Sequence, residues 1–135
     1  MQRLWDLAHA LDVRSKRMTT TVGVTGPQRL VIRVIGQLRA PTATDIAATL
    51  MMHPSTLTGI VYRLAKQGLI KRTQDDVDRR RSRFALTPEG MKVDRERKGT
   101  VEAAVRRALV RADTNTVASA VMMIQLLVAE LDRDD

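Results

Sequence analysis

The stretch DDVDRRRSRFALTPEG, residues 75–90, crowds three aspartates and four arginines together and then turns apolar at Phe84. Apolar segments flank the charges, Leu69-Ile70 before them and Phe84-Ala85-Leu86 after, and both have strand-forming residue types. The charged run is therefore expected at the tip of a two-stranded hairpin, roughly Gln74 to Arg81. Thr87 then caps a helix whose first position is Pro88, where a missing N–H costs nothing. Helical spacing predicts one long helix from there through Met91 to Arg111.

Upstream, Thr25-Gly26-Pro27-Gln28 has the Thr-x-x-Gln arrangement of a capping box and opens a helix to about Leu38. Its expected apolar stripe is Leu30, Val31, Val34, Ile35 and Leu38. A second box, Thr42-Ala43-Thr44-Asp45, opens a short helix through Leu50 with Ile46, Ala47 and Leu50 inward. The link Met51-Met52-His53 is brief, and Pro54 starts a helix that should run to about Gln67 and stop at Gly68. Two helices joined so closely form a helix-turn-helix, and the hairpin that follows makes it a winged one.

On this last helix Leu57, Ile60, Val61 and Leu64 share one side. Ser55, Gly59, Tyr62, Arg63 and Lys66 point the other way, flanked by Thr56 and Thr58. Hydroxyls and arginine suit base edges in a major groove, and Lys and Arg suit phosphates. An ordinary solvated face carrying two cations is the competing reading. Over residues 55–83 there are eight cations, Arg63, Lys66, Lys71, Arg72, Arg79, Arg80, Arg81 and Arg83, against Asp75, Asp76 and Asp78, a surplus of five. The hairpin stays basic even with every aspartate paired. Its tip, Arg79 to Arg81, suits a narrow, negative minor groove.

The 135-residue chain has a net charge of +8 and a sequence pI near 11.0, which points to a polyanionic partner. Ribosomal contact or an acidic membrane would also fit that balance. Hydrophobic residues make up 44%, enough to bury a core in one domain or two small, intimately packed units. Cysteine is absent, which excludes disulfides, thiolate metal sites and thiol redox sensing. His9 and His53 are far apart in sequence, and no metal or cofactor is expected. There is no unbroken run of about 18 apolar residues and no apolar signal core at the N-terminus, so a cytoplasmic protein without a membrane partner is expected.

Residues 3–18 read as an amphipathic helix through Leu4, Leu7, Ala8, Leu11 and Met18, and Thr19 to Gly26 should break it. A final helix carries Val117, Val121, Ile124, Leu127, Val128 and Leu131. Apolar faces of this kind need covering. The fold class is thus mainly α with a small β-hairpin wing.

The order of these motifs resembles the MarR family of bacterial transcriptional regulators. Asp78-Arg79-Arg80 followed by Leu86-Thr87 and Gly90 is similar to the family's wing pattern. Thr25-Gly26-Pro27-Gln28 resembles its capped second helix, and Arg63-Leu64 with Gly68-Leu69-Ile70 and Arg72 its recognition-helix exit. The motifs cover residues 25–90, and helix order covers the rest.

The resemblance implies a winged helix-turn-helix unit over 25–87 and a helical dimerisation region over 1–24 and 88–135. It implies a homodimer that binds a pseudo-palindromic site on double-stranded DNA, commonly as a repressor. By the same resemblance Thr58 and Arg63 are recognition-helix contacts, Arg80 is the minor-groove arginine and Asp78 orients the wing arginines. Gly59 departs from the family, where a longer, often basic side chain is common. Many members release DNA when a small, often aromatic, anion binds between the dimerisation helices and the winged unit. With one Trp, one Tyr and one Phe the chain offers few aromatics for such an effector pocket. Trp5 reads as dimer packing, with a place in that pocket as its alternative.

An enzyme is not expected, because the clustered aspartates sit on an exposed tip and no nucleophile with a base, carboxylate pair or metal set is evident. A winged-helix module for RNA or a protein partner is the remaining alternative. The 2% aromatic content argues against base stacking on RNA.

Overall fold

The computed structural model describes residues 1–75, 78 and 81–133. By packing, the chain divides into two compact units, Met1–Val101 and the residues from Glu102 onward. Among the described residues there are seven helices and one antiparallel hairpin, in the order α1 (Gln2–Thr21), α2 (Gly26–Leu38), α3 (Ala43–Leu50), α4 (Pro54–Lys66), β1 (Ile70–Gln74), β2 (Ser82–Leu86), α5 (Pro88–Arg95), α6 (Val101–Val110) and α7 (Thr114–Leu131).

Local chemistry starts most of these elements. The two capping boxes form as expected: Thr25 Oγ1 accepts from the Gln28 N–H while Gln28 Oε1 accepts from the Thr25 N–H, and Thr42 with Asp45 repeats the arrangement. α1 runs further than the sequence predicts. Thr19, Thr20 and Thr21 stay helical by donating their hydroxyls to the carbonyls of Lys16 and Arg17, and the turn comes at Gly23, where φ is +84°.

α2 is the central element, packed by α1, α3, α4, α5 and β2. Val31, Ile32, Val34 and Ile35 meet Ile46, Leu57, Ile60, Leu64, Ile70 and Phe84 in one core. Two members of the expected stripe, Leu30 and Leu38, are instead exposed, and Ile32 and Arg29 are buried in their place. A helix with neighbours on several sides does not bury one narrow stripe.

The expected long helix from Thr87 to Arg111 is two helices. The Arg29 guanidinium, buried within the winged unit, donates to the carbonyls of Val93, Asp94 and Glu96. Those acceptors at the end of α5 thus gain a side-chain donor. The Glu96 carboxylate accepts the N–H groups of Arg97 and Lys98, and these bonds hold its pKa below the usual value, with Lys98 the largest contributor. Gly99 then turns the chain at a φ of +78°.

In the second unit Asp113 caps α7, with Oδ1 accepting from the Thr116 N–H at 3.0 Å. No residue of α7 is buried. Its mean hydropathy of 1.4 over 18 residues makes it long and apolar enough to cross a membrane by length and composition. The sequence reading missed this because Thr114, Asn115, Thr116, Ser119 and Gln125 interrupt the run without adding charge.

Candidate nucleic-acid interface

α4 begins at Pro54 with His53 as its cap: Nδ1 of His53 accepts from the Ser55 N–H at 3.3 Å and lies 2.7 Å from the Ser55 hydroxyl. Leu57, Ile60 and Leu64 are buried and Val61 is half-buried. Ser55, Thr56, Thr58, Tyr62, Arg63 and Lys66 are all exposed, and Gly59 is half-buried between them. The outward face is therefore the one the spacing predicts. The Thr58 hydroxyl donates to the Pro54 carbonyl at 2.9 Å.

The hairpin pairs Ile70 with Leu86, Arg72 with Phe84 and Gln74 with Ser82. Phe84 buries one side of it, while Lys71, Arg72, Arg81 and Arg83 are exposed. The Phe84 N–H also donates to the Pro41 carbonyl, and Thr42 bridges to Arg83, which joins the wing to the start of α3. Between α4 and the wing lies an open cleft of about 570 Å³, with Leu57, Val61 and Phe84 toward its apolar side and Tyr62, Arg72 and Arg81 around it. The start of α3, with Thr42, Ala43 and Thr44, completes the lining of this cleft.

Asp75, directly after β1, is buried. Its Oδ1 accepts from the Asp78 N–H, its own N–H donates to the Arg81 carbonyl, and the Arg81 N–H donates to the Asp78 carbonyl. Arg79 and Arg80, expected to meet a groove, lie outside the described residues, as do Asp76 and Val77. Any orienting of Arg79 and Arg80 by Asp78 lies outside them too.

Asp45, capping α3, feels the wing as well. The Thr42 N–H and then its hydroxyl lower the Asp45 pKa most, and the charges of Arg81 and Arg83 lower it further. Among the described residues no group of acidic, His or Cys side chains could hold a metal ion.

After β2, the Thr87 N–H donates to the Leu69 carbonyl at 3.1 Å and the Thr87 hydroxyl to the Gly68 carbonyl at 2.6 Å. At Gly90 the start of α5 presses so close that an added Cβ would lie 1.9 Å from the Leu69 carbonyl oxygen. The Leu-Thr-x-x-Gly pattern is the seam between wing and following helix.

The MarR family model matches residues 24–82. Over that stretch, less than half of the chain, it is similar to the MarR family. MarR-family proteins are winged-helix, DNA-binding transcriptional regulators. The uncharacterized regulator YsmB of Bacillus subtilis (strain 168) is 26% identical over 90 residues, 67% of this chain and 62% of YsmB. The regulator FarR of Neisseria gonorrhoeae is 31% identical over 87 residues, 64% of this chain and 60% of FarR. The chain thus spans less than two thirds of either curated relative. The fold is also that of S. aureus MepR in its DNA complex, with a TM-score of 0.83 over 97% of this chain and 96% of that one, at 17% identity.

Two arginines carry structural duties that the sequence did not distinguish. Arg83, counted among the hairpin cations, pairs with Asp75 and donates to the Ala40 carbonyl. Its register opposite Thr73 puts it diagonal to Asp75 on one face of the ladder, and that period of two was the available signal. Arg29 gave no signal in its own helix, because its acceptors lie at the end of α5.

Proposed function

We propose that the chain is a sequence-specific double-stranded DNA-binding repressor that works as a homodimer in the cytoplasm. The observation that carries this reading is the shared exposure of Arg63 and Lys66 on α4 with Arg72 and Arg81 on the wing, with an open cleft between α4 and the wing. On this reading α4 enters a major groove, where Ser55, Thr56, Thr58, Gly59, Tyr62 and Arg63 meet base edges and Lys66 meets a phosphate, and the wing arginines Arg79, Arg80 and Arg81 meet the adjacent minor groove. Residues 25–87 form the DNA-binding part, and residues 1–24 and 88–135 the dimerisation region. A dimer on its operator represses by occupying the DNA that transcription needs.

Support for the dimer comes from apolar surface left bare in the single chain. Trp5, Leu7 and Leu11 of α1 are exposed, as are Val121, Met122, Ile124, Leu126 and Leu131 of α7. Faces of this extent need a partner, and a second copy of the same chain supplies one by two-fold symmetry.

Selection of bound duplexes from a random DNA pool tests the reading. An inverted repeat should emerge, with half-sites about one helical turn apart. No enriched sequence, or stronger retention on single-stranded RNA than on duplex DNA, would exclude it.

A further inference from the structure

Glycine in the middle of a helix weakens it relative to alanine, because more backbone freedom is lost on folding. The fold gives a reason for the other helical glycines at the seams of the winged unit. At Gly90 a Cβ would strike the Leu69 carbonyl, and at Gly36 it would press on Asp94 and Leu86 at 3.1 and 3.2 Å. Gly59 has no such reason. It lies inside α4, it is absent from the positive-φ glycines, and a Cβ there would meet nothing within 4 Å.

The missing side chain falls at a particular place. Ser55, Gly59 and Arg63 follow one another at intervals of four and so form one ridge along the outer face of α4. Ser55 is small, Arg63 is long, and Tyr62 beside them is 66% exposed. Gly59, itself half-buried, is therefore a notch midway along the surface that faces outward, with open space where a side chain would begin.

We propose that Gly59 is a specificity-determining residue: its notch lets the backbone of α4 approach base edges in the major groove more closely than any side chain there would permit. This rests on the DNA-reading function proposed above and refines it. Close approach brings the short Ser55 and Thr56 hydroxyls within reach of the bases, whereas a side chain at position 59 would hold the whole helix away. The notch acts on the base edges and leaves phosphate contacts largely untouched, so it affects preference among sequences more than general affinity for DNA.

The test measures folding and binding on the same full-length variants, Gly59→Ala and Gly59→Gln. Gly59→Ala should raise Tm by about 2 to 4 °C, since a helix-weakening residue is replaced where space is open. The same variant should bind the selected operator about tenfold more weakly, the size of one base-edge interaction, with Gly59→Gln weaker still. Affinity for a random duplex should stay within about threefold. A lower Tm would show that the fold needs this glycine after all, and unchanged operator affinity, or equal losses on both duplexes, would equally overturn the proposal. A wild-type protein with no preference between operator and random duplex would overturn the DNA-reading function itself, and this refinement with it.

Discussion

Arg83 Nε stands 2.6 Å from Oδ2 of Asp75, a carboxylate whose side chain is only 5% exposed. The same guanidinium donates to the Ala40 carbonyl at 3.0 Å, and the other carboxylate oxygen holds the Asp78 N–H. One ion pair therefore ties the end of β1, β2 and the connection before α3 together. Removing the cation is costlier than removing the charge it meets, because a buried carboxylate then keeps its charge and loses the guanidinium that balances it. Arg83→Met should lose roughly 1 to 3 kcal/mol in urea unfolding, and Asp75→Asn less, since an amide oxygen can still accept from the Asp78 N–H. Equal stability of Arg83→Met and wild type would show that water already screens the pair.

Gly90 sets the seam between wing and α5. With its Cβ position 1.9 Å from the Leu69 oxygen, Gly90→Ala must move backbone, and the carbonyl it displaces is the one that accepts from Thr87. The expected loss is about 3 kcal/mol, in the range of core overpacking, or failure to give soluble protein. Glu89→Ala, one exposed residue away, should be close to neutral by the same thermal unfolding.

Local signals were legible in the sequence and long-range ones were not. The boxes at Thr25 and Thr42 and the cap at Thr87 each involve partners three residues apart, so their spacing alone fixes the helix starts. Arg29 shows the opposite case: the carbonyls it satisfies are more than sixty positions away, and no periodicity in α5 announces that its end is held there. The outer face of α4 was readable because its apolar side repeats at helical spacing. Which cations face outward and which brace the wing depends on Asp75 being buried, a consequence of the hairpin pairing rather than of its own neighbours in the chain.

Asp45 gives stability that depends on pH with a definite sign. Its folded pKa is depressed, first by the Thr42 N–H and then by the Thr42 hydroxyl. The contribution is therefore complete above the unfolded value of about 3.9 and is lost as pH falls through the lower folded value. Asp45→Ala should be less stable than wild type at neutral pH by roughly 0.5 kcal/mol, the size expected of an exposed carboxylate in the first turn of a helix. The gap should narrow in denaturant titrations carried below pH 4. A constant gap across that range would mean that the carboxylate charge contributes nothing to the cap.

Arg63 and Arg80 should fail differently. Arg63→Ala is expected to lose roughly 1 to 3 kcal/mol on the selected operator and much less on random duplex, as for a base-edge contact. Arg80→Ala should weaken both and lower the log-log salt slope by about one unit for each phosphate left without its cation. Binding isotherms at several salt concentrations separate the two roles, and equal losses for Arg63→Ala on both duplexes would assign it to a phosphate.

The apolar side of α7 bears on the assembly. Ile124 is 53% exposed in the single chain, so a charge there leaves the fold of one chain little affected, while a buried dimer face would have to desolvate it. Ile124→Glu should therefore keep its helical signal and melt cooperatively, yet sediment near the 15.1 kDa of one chain rather than twice that mass. Binding to the inverted repeat should collapse to the weak affinity of a single winged unit for a half-site, since two linked units bind far more tightly than either alone. If Ile124→Glu still sediments as a dimer and binds its repeat unchanged, the interface lies elsewhere on the chain.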